Sequence, residues 1–73
     1  MKLPADLSGQ ELVKVLLRAG FVVSRQRGSH IILRRDSPHA RVVVSEHKRL
    51  RPGTLRQILT EAGLTVEHLF ELR

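Results

Sequence analysis

Two apolar stripes at helical spacing frame this chain, and three short β-like runs lie between them. Leu12, Val15, Leu16 and Ala19 fall at i, i+3, i+4 and i+7, and Leu55, Ile58, Leu59 and Ala62 repeat that spacing. Each stripe stops at a glycine, Gly20 and Gly63, the residue that closes a helix most easily in the left-handed conformation. Ser8-Gly9-Gln10-Glu11 has the pattern of a capping box ahead of the first stripe, and Pro52 suits the first turn of the second. Helices are therefore predicted over 8–19 and 52–62. Val13 and Leu17 widen the first stripe, while Lys14 and Arg18 are expected to face solvent. A helix with one apolar stripe must bury it, and the simplest shared surface is one face of a sheet.

The residues between the stripes supply that sheet. Residues 21–26, 30–34 and 40–45 read as strands, with Phe21 and Val23 on one face of the first and Val42 and Val44 on one face of the third. Gly28 offers the positive φ that a tight hairpin between the first two requires. Residues 35–39 form a polar turn cluster, and residues 46–51 a basic loop. A last short helix opens at Thr65, with Val66, Leu69 and Phe70 expected to cover one edge of the core. The order is αβββα plus a short C-terminal helix, an α+β fold with a three-stranded antiparallel sheet. Both striped helices would cover one sheet face and leave the other for a ligand.

Residues 1–73 read as one small domain, of a size at which roughly 60% of the unfolded chain's surface is buried. No long apolar run marks the first eight residues as a signal peptide, and none later could span a bilayer. There is no cysteine, which removes disulfides and thiolate metal sites, and a cytoplasmic location is expected. The net charge of +6 comes mostly from arginine, which suits bidentate contact with phosphate and implies a polyanionic partner. Phe21 and Phe70 are the only aromatic residues, so a base-stacking platform for single strands does not fit.

Candidate chemistry concentrates at Arg25-Gln26-Arg27-Gly28-Ser29-His30. A histidine at the root of a strand, beside a turn and flanked by arginines, puts a proton-transfer group next to a phosphate cradle. Lys48-Arg49-Leu50-Arg51, just ahead of Pro52-Gly53-Thr54, places further cations before a helix N-terminus, a favourable setting for an anion. His39, His47 and His68 show no metal-ligand spacing with His30 or with one another, so no metal and no cofactor is expected. Ser29 is read as a turn residue and not as a nucleophile.

Taken together, these segments resemble the HicA-type toxin family, small mRNA interferases of toxin–antitoxin pairs. The resemblance is carried by Leu17-Arg18-Ala19-Gly20-Phe21, Arg25-Gln26-Arg27-Gly28-Ser29-His30, Val42-Val43-Val44-Ser45-Glu46-His47, Pro52-Gly53-Thr54-Leu55-Arg56-Gln57-Ile58-Leu59 and Ala62-Gly63-Leu64-Thr65. It implies a fold like double-stranded-RNA-binding domains, cleavage of mRNA, and a HicB-type antitoxin that covers the active site. The family's catalytic histidine falls on His30. Arg25, Arg27, Gly28, Ser29 and Lys48 are the expected RNA-binding residues. Family members commonly carry proline where this chain has Ser45, which bears on the placement of His47. Two other readings stay open here. One is a non-catalytic RNA-binding domain of the same topology; the other is a DNA-binding adaptor using helix 52–62, whose exposed face (Arg56, Gln57, Thr60, Glu61) is mixed in charge.

Overall fold

The computed structural model describes residues 2–73. Its elements run α1 (Gly9–Arg18), β1 (Val22–Arg27), β2 (His30–Asp36), β3 (His39–Ser45), α2 (Pro52–Ala62) and α3 (Val66–Leu72). The strands form one antiparallel meander in the order β1-β2-β3. The α+β architecture is the expected one.

The helix boundaries follow from the local signals. Ser8 Oγ accepts from the Glu11 N–H at 3.1 Å and the Ser8 N–H donates to Glu11 Oε1 at 3.2 Å, so the capping box forms. Gly20 follows the last turn with φ +96°, and Gly63 closes α2 at φ +72°. Leu12, Val15 and Leu16 are buried, as are Leu55, Ile58, Leu59 and Ala62. They meet Ile31, Leu33, Ala40, Val42 and Val44 from one face of the sheet. Leu7 and Leu50 join the same core, and the Leu50 N–H donates to the Leu7 carbonyl at 2.9 Å. Leu69 of α3 is fully buried against it.

Several details differ from expectation. Leu17 and Phe70 are exposed, at 46% and 42%. The α1 seam is narrow, and in a helix as short as α3 burying Leu69 turns its neighbour outward. Phe21 precedes β1 and is buried, with the Arg35 guanidinium 4.7 Å from its ring centre. The turn cluster at 35–39 shrinks to Ser37-Pro38, because Asp36 and His39 pair and the ladder runs to its end.

The most consequential difference is a β-bulge. Val23 pairs with Leu33, but Arg25 pairs with Ile32, so Ser24 is an extra residue in β1. Strict alternation from Val23 would send Arg25 and Arg27 to the face covered by helices. The bulge moves both to the opposite, open face.

Candidate active site

On β2 the buried Ile31 and Leu33 alternate with His30, Ile32 and Arg34, which therefore stand on the open face. Residues directly opposite in an antiparallel ladder share a face. Arg27 and Ser45 flank His30 from the two neighbouring strands, and Arg25 and Val43 flank Ile32. The bulge thus brings Arg25 and Arg27 beside His30. All three side chains are exposed and have no hydrogen-bond or ion-pair partner among the described residues. Gly28 takes φ +58° while Ser29 does not have positive φ, the pattern of a type II′ hairpin turn. Nothing lies within 4 Å of where a Gly28 Cβ would be, so the turn is open to a ligand.

The loop after β3 docks against this hairpin. The Glu46 N–H donates to the Ser29 carbonyl at 2.8 Å, and Gln26 Nε2 donates to Glu46 Oε1 and to the Gly28 carbonyl. The His47 N–H returns to the Ser45 carbonyl at 2.8 Å, a γ-turn, and the His47 carbonyl accepts from the Gly9 N–H at 2.9 Å. These backbone hydrogen bonds hold the turn from Ser45 to His47.

Further along, Leu50 is the loop's one apolar residue, and its burial turns Arg49 and Arg51 outward. They line a depression of about 350 Å³ together with Ser45, His47 and Thr54. Arg51 is the N-cap of α2 and makes no side-chain cap, so the first N–H groups of that helix add positive potential there. Lys48 lies elsewhere. It lines a neighbouring depression on the α1 side, with Ser8, Gln10, Glu46 and His47.

The remaining histidines are spread apart. His39 pairs with Asp36 at the far end of the β2–β3 ladder from His30. His68 Nδ1 accepts from the Thr65 N–H at 3.1 Å and completes the α3 cap. Among the described residues no cluster of histidine and carboxylate groups of metal-binding size occurs.

Gln26, Glu46, Arg49 and Arg51 also lie at this hairpin and the loop beside it. Arg49 and Arg51 were visible in the basic run. Gln26 and Glu46 carried no signal, because their contact depends on docking between two distant turns.

Helices seal one side of a three-stranded meander, and the bare side carries unpaired arginines around one histidine at the sheet's end. That defines a small α+β domain with a cationic open face. The family model described as the HicA toxin of bacterial toxin-antitoxin matches residues 9–64, from the first turn of α1 to just past the α2 cap. The chain belongs to that family, and its role is that of the toxin in a toxin–antitoxin pair. No curated protein matches the chain closely enough to count as a relative.

Proposed function

We propose that this toxin is a metal-independent endoribonuclease, an mRNA interferase whose catalytic residue is His30 and which arrests translation and growth. The observation that carries the reading is the shared open face: an exposed imidazole beside two guanidinium groups that form no ion pair among the described residues. Arg25 and Arg27 hold backbone phosphates of a single-stranded or locally melted message, with Lys48 engaging the strand further along. Gly28 and Ser29 let the RNA backbone approach the turn. His30 removes the proton of a ribose 2′-OH, which attacks the adjacent phosphorus, and the product is a 2′,3′-cyclic phosphate. The cationic groups stabilise the charge that builds on the phosphoryl oxygens. A HicB-type antitoxin covers this face and blocks access. The protein acts in the cytoplasm, where the message is; no helix among the described residues is long and apolar enough to cross a membrane.

The test is cleavage of a synthetic RNA by purified wild type and His30→Ala. General acid–base catalysis by one side chain contributes about 10²–10⁴-fold, and a loss of that size is expected. RNA binding and thermal stability should stay near wild type, because the ring is exposed and makes no hydrogen bond or ion pair among the described residues. Equal rates for the two proteins would leave a non-catalytic RNA-binding domain as the better reading.

A further inference from the structure

Building on the ribonuclease reading above, we infer that His47 is the second proton-transfer residue and protonates the leaving 5′-oxygen. In-line transesterification moves two protons on opposite sides of phosphorus. Neutral His30 takes the 2′-OH proton as the O2′–P bond forms. The P–O5′ bond breaks, and O5′ receives its proton from the His47 imidazolium. The step ends with His30 protonated, His47 neutral, a cyclic phosphate and a free 5′-hydroxyl.

Placement supports this role. Ser45 sits opposite His30 in the ladder, and His47 follows Ser45 through a γ-turn. Ladder spacing plus two residues of chain keeps the two histidine Cα atoms within about 12 Å, a gap two imidazoles can close around one phosphodiester. The turn that carries His47 is pinned through the Ser29 carbonyl and the Gly9 N–H, and by close contact between Gly9 and Ser45. The backbone is held, yet the ring is exposed and has no hydrogen-bond partner among the described residues.

Of the charged groups around His47, the arginines are the poorer donors. Arg49 and Arg51 share its depression but stay protonated throughout, so they hold phosphate and give up no proton. Glu46 and Lys48 face it from the other side, with Glu46 engaged by Gln26. The α1 and α2 residues that line these depressions, Ser8, Gln10 and Thr54, do not titrate.

A pair of RNA oligonucleotides tests the assignment, one with oxygen and one with sulfur at the bridging 5′ position. A thiolate leaves without a proton, since thiols ionise near neutrality. His47→Ala should cut the oxygen substrate about 10²–10⁴-fold more slowly than wild type and the sulfur substrate within about threefold of it. His30→Ala should lose on both. His47→Gln, which keeps a polar side chain, should behave as His47→Ala, with melting temperatures checking the fold. A wild-type rate for the His47 variants on the oxygen substrate, or an equal loss on both substrates, overturns the inference. Failure of the wild-type protein to cut either RNA would instead overturn the ribonuclease reading itself.

Discussion

Glycine is the poorest helix former after proline, yet α1 begins with Gly9. The reason lies across the molecule. A Cβ at Gly9 would fall 2.0 Å from the Ser45 carbonyl oxygen and 3.2 Å from the Glu46 Cα, both of them backbone that cannot swing aside. Gly9→Ala must push apart the start of α1 and the turn carrying His47. A loss of about 1–3 kcal/mol is expected from chemical denaturation, typical of overpacking, together with slower RNA cleavage. An alanine variant as stable as wild type would show that the two segments do not meet so closely. Arg35 makes a related point about residue type. Its guanidinium covers Phe21 and donates to the Ala62 carbonyl at 3.1 Å and the Pro38 carbonyl at 2.9 Å. This arginine ties the end of α2 to the β2–β3 turn, whereas Arg25 and Arg27 make no hydrogen bond or ion pair among the described residues. Side-chain chemistry is identical in the three, and only their surroundings separate a structural clip from side chains left free on the open face.

Among the elements, α1 offers a pH-dependent check on its own cap. The Glu11 carboxyl is held below its ordinary value of 4.5, chiefly by the N–H of Ser8, then by the Ser8 hydroxyl and the nearby Arg73 guanidinium. A depressed folded-state pKa contributes stability that is complete above the ordinary carboxylate value. It is lost as pH falls through the folded value. Glu11→Gln keeps the capping geometry and removes the titration. Thermal melts of that variant should fall less steeply with acid than those of wild type, and parallel curves would mean the carboxylate contributes nothing there. The capping box, the closing glycines and the two stripes were all legible, since each is a relation among residues within one or two turns. The bulge at Ser24 was not. Nothing in Val22-Val23-Ser24-Arg25 announces an extra residue, because a bulge is defined by the partner strand.

At the scale of the whole molecule, the acids and bases are sorted unevenly. Asp6 and Glu11 meet Arg73, Asp36 meets Arg34, and Glu46 meets Gln26. Of the arginines without a carboxylate partner among the described residues, Arg18 and Arg35 are engaged by backbone carbonyls, while Arg25, Arg27, Arg49 and Arg51 stand free at one end of the open face and in the loop beside it, with Arg41 and Arg56 free elsewhere. A net charge of +6 distributed this way should make RNA affinity fall steeply with salt. Each phosphate contact on a single strand contributes a slope of about −0.7 in log K against log salt. Replacing Arg25 and Arg27 by glutamine should make the slope shallower by about 1.4 units, measured by fluorescence anisotropy at a series of salt concentrations. An unchanged slope would remove both arginines from the RNA path.

Periodicity and turn chemistry alone determined the number, type and order of the elements, the hairpin at Gly28 and the two helical stripes that face the core. These depend on neighbours a few positions apart, so the chain carries them wherever it is read. Tertiary structure decided which face Arg25 and Arg27 occupy, why Gly9 is glycine, and that the loop bearing His47 folds back onto the hairpin bearing His30. Each of those turns on which residue lies opposite which in another element, Arg25 with Ile32 and Gly9 with Ser45 being the plainest cases. A shift of one residue in strand pairing exchanges the two faces of a sheet, and no local pattern records it.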